Sequence, residues 1–120
     1  MPGSCRIIDL EKSLVRLGHD QELLRDLIQI FLDDHVAMVA QVNESYNNKD
    51  PEGLRHAAHS LKGLVSNFEA LRCVEAASQL ETIAAENRWD EGEEAISQLT
   101  AEVEQVVNRL IEERSADQES

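Results

Sequence analysis

Rings are scarce in this chain: two phenylalanines, one tyrosine and one tryptophan make up 3% of 120 residues. So thin a supply argues against a base-stacking nucleic-acid surface, an aromatic ligand cage and a ring-dependent β-sandwich core. Positive charge is also short, with 11 lysines and arginines against 24 acids and a net charge of −13. Such a surface repels nucleic acid and anionic lipid, so neither is expected as a partner. The two cysteines, Cys5 and Cys73, have no metal-ligand spacing and suit a reducing compartment. No apolar run nears the roughly 20 residues that cross a bilayer, and "MPGSCRIIDL" lacks a signal-peptide pattern. A cytoplasmic domain is therefore expected. With only two prolines and five glycines to interrupt it, helix is the favoured local state.

What is present is helical periodicity along nearly the whole length. A short helix fits about residues 9–17 and ends at Gly18, a good position for a left-handed residue. Asp20 can cap a long second helix with Leu23, Leu24, Leu27, Phe31, Met38, Val42 and Tyr46 at three- and four-residue steps. "YNNKDPEG" stops it, with Asp50 as the next cap and Pro51 at the first helical position. A fourth helix covers about 71–86, with Leu71, Val74, Ala77, Leu80 and Ala84 on one side. "NRWDEGEE" is a turn in which Asp90 and Glu93 have the spacing of a capping box. The last helix carries Ile96, Leu99, Val103, Val106 and Leu110, and the tail at about 115–120 is expected to fray. Residues 1–120 thus form one domain. Its fold class is all-α: an up-and-down antiparallel four-helix bundle with a short additional N-terminal helix as a lid. The apolar stripes are used up by one bundle, so a monomer is expected.

The third helix holds "LRHAAHSLKGLVSNF", residues 54–68, a window with no acid in a strongly acidic chain. At about 100° per residue, Leu54, Ala57, Ala58, Leu61, Leu64, Val65 and Phe68 form the core side. His59 then points about 160° away from the middle of that stripe, and Gly63 lies one turn later on the same outer face. Arg55, His56, Lys62 and Ser66 flank them. An exposed histidine is ordinarily just a solvated side chain. Yet neutral imidazole offers a nitrogen lone pair near pH 7 and can accept a phosphoryl group. A glycine inside a helix costs about 1 kcal/mol against alanine, and an outward one lets a partner's backbone come close. Lys62, at i+3 from His59, is within reach of whatever that ring carries.

The stretch "AHSLKGLVSNFEA" resembles the signature of the histidine-containing phosphotransfer (HPt) family. Phe31 in "LLRDLIQIFLDD", the Asp-Pro-Glu-Gly-Leu entry to the motif helix and "QLETIA" after it resemble the family pattern too. The resemblance implies that His59 is the phosphoacceptor of a two-component phosphorelay. It would take a phosphoryl group from a receiver-domain aspartate and pass it to another receiver. Lys62 would pair with the phosphate oxygens, Gly63 would clear space for the receiver, and Ser66 would lend a hydrogen bond. Arg55 and His56 would face the acidic pocket of the partner, a receiver domain of a response regulator or hybrid histidine kinase. The Mg²⁺ of the reaction would belong to that partner, with no cofactor on this chain. One departure is Glu69, where the family commonly has glycine, which implies a straighter or longer third helix.

The chain has no G-x-x-x-x-G-K-[ST] nucleotide loop, so a carrier is expected and not a kinase. A second reading is a helical interaction module that docks receivers without phosphotransfer. A third is metal binding by His56 and His59, which falls short of the four ligands of a structural zinc site. Hydrolase chemistry at Cys73 lacks an activating base in the sequence.

Overall fold

Three helices begin at an aspartate whose carboxylate accepts from an otherwise free amide of the first turn. In the computed structural model, which describes residues 7–119 and side chains through residue 114, these are Asp9, Asp20 and Asp50. Asp9 takes Lys12 N–H at 3.2 Å and starts α1 (Leu10–Arg16). Asp20 takes Leu23 N–H at 2.9 Å and starts α2 (Gln21–Asn47). Asp50 takes Gly53 N–H at 3.0 Å, ahead of Pro51 in the first turn of α3 (Pro51–Ser66). α4 (Leu71–Glu86) has no side-chain cap, and α5 (Gly92–Glu119) grows out of a 3₁₀ turn at Trp89–Glu91. Cys5 lies outside the described residues.

Every reversal between helices passes through a left-handed residue: Gly18 (φ 70°) with His19, then Lys49, Glu69 and Asn87. The chain folds up and down, α2 against α3, α3 against α4, α4 against α5, with α2 and α5 closing the bundle. The fold is the expected all-α bundle. Phe31, Leu54, Leu61, Phe68, Leu80, Leu99 and Leu110 fill its centre with no more than trace exposure, and the rings of Phe31 and Phe68 meet edge-on at 5.7 Å. α1 is tied to the α3–α4 junction, where Asp9 N–H donates to Phe68 C=O at 3.0 Å.

The periodicity needs correcting at several points. Leu71 and Leu23 are exposed, while Ile28, Cys73 and Ile83 are buried in their place. Leu71, the first residue of α4, lies nearly opposite the face that buries Cys73, Ala77, Leu80 and Ala84. Asp90 does not cap α5, because it sits inside the 3₁₀ turn, where Arg88 clasps Glu91 at 2.7 Å instead. α5 extends to Glu119. Glu69 does not lengthen α3. It turns the chain with φ 53°, the conformation glycine adopts freely, and its carboxylate holds Arg16 of α1 at 3.2 Å.

The far end of the bundle is clasped by aromatics. Tyr46 O–H donates to Trp89 C=O at 2.9 Å, and Lys49 Nζ lies 5.4 Å and 5.8 Å from the two ring centres. Gly92 lets α5 begin against the Tyr46 ring, which a Cβ at that position would strike.

Candidate functional site

The core side of α3 packs largely as its spacing predicts, with Leu54, Ala57, Ala58, Leu61, Val65 and Phe68 buried and Leu64 half-buried. That burial fixes the rotation of the helix and sends His59 outward, with its side chain 64% exposed. Gly63, one turn on, is open: a Cβ built there meets nothing within 4 Å. The glycine is therefore not a packing notch. Arg55 and His56 are exposed on the turn before His59.

Ser66 and Asn67 turn back onto their own helix. Ser66 O–H donates to Lys62 C=O at 2.7 Å, and Asn67 Nδ2–H donates to Leu64 C=O at 3.2 Å. Both side chains add a second donor to carbonyls in the last turn of α3, the Leu64 C=O already accepting from Asn67 N–H at 3.2 Å. The Ser66 proton is thus committed to the backbone.

The residue that sequence reasoning passed over is Glu81 of α4. α3 and α4 pack more extensively than any other pair, and Leu80 and Ala84 anchor this part of α4 in the core. Their neighbour Glu81 is carried to the rim facing α3, with its side chain 18% exposed. One carboxylate oxygen, Oε2, stands 2.9 Å from His59 Nδ1, and the other, Oε1, stands 2.6 Å from Lys62 Nζ. The ammonium reaches Oε1 off the hydrogen-bonding direction, and this buried oxygen has no aligned donor. That contact is an ion pair first.

The charge state of Glu81 follows from opposing effects. Burial pushes its carboxyl up, but the close Lys62 ammonium and the hydrogen bond with His59 together outweigh that and hold it below the ordinary value. An ionised carboxylate can only accept, so Nδ1 must carry the ring hydrogen. In the neutral imidazole the lone pair then resides on Nε2. The arrangement is an exposed nucleophilic nitrogen on a ring held from behind, with an ammonium half-buried beside it and bare backbone one turn along.

Other chemistry is poorly served. Burial, followed by the nearby charge of Glu102, pushes the Cys73 thiol up to about 12, so its thiolate is scarce at neutral pH. His35 packs its ring against Phe31 at 5.7 Å, and His19 sits in the α1–α2 turn. Among the described residues, no three His, Cys, Asp or Glu side chains gather as a metal set. No helix among them is long and apolar enough to cross a membrane.

A family model of the Hpt domain matches residues 26–109. Among solved structures, the chain is similar to histidine-containing phosphotransfer protein B from Pseudomonas aeruginosa PAO1. The two share 26% identity with a TM-score of 0.80, over 94% of this chain and 98% of that one. No curated protein matches.

Proposed function

The chain belongs to the Hpt domain family, and from that premise we propose that it is a phosphocarrier between receiver domains, with His59 as the phosphoacceptor. The observation that carries this reading is the Glu81–Nδ1 hydrogen bond at 2.9 Å on a ring that is otherwise exposed. It assigns the lone pair to Nε2, the nitrogen free to meet a partner.

The step balances without any proton transfer. Nε2 attacks the phosphorus of a receiver's aspartyl phosphate. The new N–P bond forms as the P–O bond to the aspartyl carboxyl breaks, and the carboxylate leaves with the electron pair. The ring keeps its Nδ1 hydrogen against Glu81 throughout. A second receiver's carboxylate reverses the same step. Lys62 stands where it can offset charge on the phosphoryl oxygens, and Gly63 leaves room for the visiting backbone. Arg55 and His56 extend a basic surface toward an acidic receiver pocket. Mg²⁺ comes with the receiver.

The test uses a phosphorylated receiver domain and looks for an acid-labile, base-stable label on this chain. Wild type takes the label, His59→Gln loses it, and His56→Gln keeps most of it. Label on His56 would move the phosphoacceptor to that residue, and receiver binding with no label would make the chain a docking module.

A further inference from the structure

Lys62 is already engaged before any phosphoryl group arrives: its ammonium lies 2.6 Å from Glu81 Oε1 and its side chain is only 28% exposed. The same carboxylate holds His59 through its other oxygen at 2.9 Å. One residue therefore grips both groups that phosphoryl transfer to this ring would use. A phosphoryl group on Nε2 brings roughly two negative charges to within reach of Lys62. A single ammonium cannot neutralise that group and Glu81 equally well.

Resting on the carrier reading above, we infer that Glu81 is a positioning residue that competes with the phosphoryl group for Lys62 and so weakens the hold of this chain on its cargo. In the free protein Lys62 belongs to Glu81. In the phosphorylated protein it swings to the phosphoryl oxygens and leaves Oε1, an oxygen buried without an aligned donor, uncompensated. The cost of that exchange raises the free energy of the phosphorylated state. It keeps the phosphoryl group transferable to the next acceptor. The bond from Nδ1–H to Oε2 is untouched by the exchange and keeps the ring oriented.

Glu81→Gln isolates the effect, because an amide oxygen still accepts from Nδ1–H but exerts no net charge on Lys62. The measurement is an equilibrium competition between two phosphocarriers. Wild type is phosphorylated with phosphoramidate: Nε2 attacks phosphorus, the P–N bond breaks and ammonia leaves. It is then mixed with an equal amount of size-tagged Glu81→Gln and a trace of receiver domain with Mg²⁺ to shuttle the label. At equilibrium the distribution between the two chains depends on their phosphohistidine stabilities and not on the receiver's. The label should favour Glu81→Gln about fivefold, the scale of a partly screened ion pair. Repeated with both chains in a Lys62→Met background, the preference should fall within about twofold of even, because the competition needs Lys62.

An even distribution with Lys62 present overturns the inference, as does a preference for wild type. So does a fivefold preference that survives Lys62→Met. Each of these leaves the carrier reading standing, since the label has moved. If phosphoramidate labels residue 59 but no receiver shuttles the label, the carrier reading itself falls and this inference falls with it.

Discussion

Replacing Gly63 by alanine should make the protein more stable and a worse carrier at once. The position lies inside α3, and a Cβ there meets nothing within 4 Å, so no steric cost offsets the gain in helix propensity. That gain is about 0.8–1.0 kcal/mol. For a domain of this size it corresponds to a rise in Tm of about 3–6 °C. On the transfer side, the new methyl group stands one turn from His59, at roughly 5–6 Å between Cβ positions, on the surface a receiver would cover. Receiver-to-His59 transfer should slow about threefold for Gly63→Ala, the effect of one misplaced methyl group at a close contact. Gly63→Glu adds a negative charge about 6 Å from the incoming phosphoryl group, worth roughly 1 kcal/mol in water-like surroundings, together with greater bulk. It should slow transfer at least tenfold while the helix content stays as it was. Thermal melting followed by circular dichroism gives the first quantity, and rapid-quench transfer from a labelled receiver gives the second. Destabilisation by alanine would mean that the glycine is packed after all. Stabilisation with unchanged transfer in both variants would mean that the bare backbone serves no partner.

Two further outcomes rest on single contacts. At Glu69 a left-handed conformation costs a non-glycine residue about 1 kcal/mol, whereas the largely exposed Arg16 can return only about 0.5 kcal/mol through its ion pair. Urea denaturation should therefore rank Glu69→Gly above wild type and Glu69→Ala below it; a glycine variant less stable than wild type would refute the strain assigned to this turn. At Glu81 the folded carboxyl titrates below its ordinary value of 4.5, so its stabilising contribution is complete above that value and is lost as pH falls through the folded value. Wild type should accordingly lose stability relative to Glu81→Gln as the pH is taken below about 4.5, and parallel acid-denaturation curves would exclude the pairing with His59 and Lys62.

The legible part of the fold is the part set by neighbours along the chain. Asp20 and Asp50 cap the helices expected of them, Gly18 adopts φ 70°, and the stripe Ile96, Leu99, Val103, Val106 and Leu110 is buried throughout. These features depend on spacing and on local backbone chemistry, which a sequence carries directly. Failures fall where a helix end meets another element. Leu71 heads α4, and three-residue steps back from Leu80 drift it nearly opposite the face of Cys73, Ala77, Leu80 and Ala84, so it stays exposed. Asp90 has the spacing of a cap, yet Arg88 and Glu91 draw the chain into a 3₁₀ turn around it. Glu69 is a charged residue in a conformation that glycine adopts more easily, and only the position of Arg16 on α1 accounts for its contact.

The site divides along the same line. A helical wheel gives each side chain an angle about its own axis, and that sufficed to turn His59 and Gly63 outward. It says nothing about how the next helix is rotated or how far along it sits. Glu81 is 22 residues from His59 and stands in "QLETIA", where the apolar neighbours Leu80, Ile83 and Ala84 mark the stretch as core while the acid between them looks solvated. Only the packing of α4 on α3 brings its two oxygens to 2.9 Å from Nδ1 and 2.6 Å from Lys62. The exposure of the imidazole is thus a property of one helix, whereas the orientation of its ring and the availability of its lysine belong to a pair of helices. Chains with the same Ala-His-x-Leu-Lys-Gly stretch can then hold a phosphoryl group with different strength, according to the charge that the following helix presents opposite the lysine. For this chain that charge is a carboxylate, which favours release over storage.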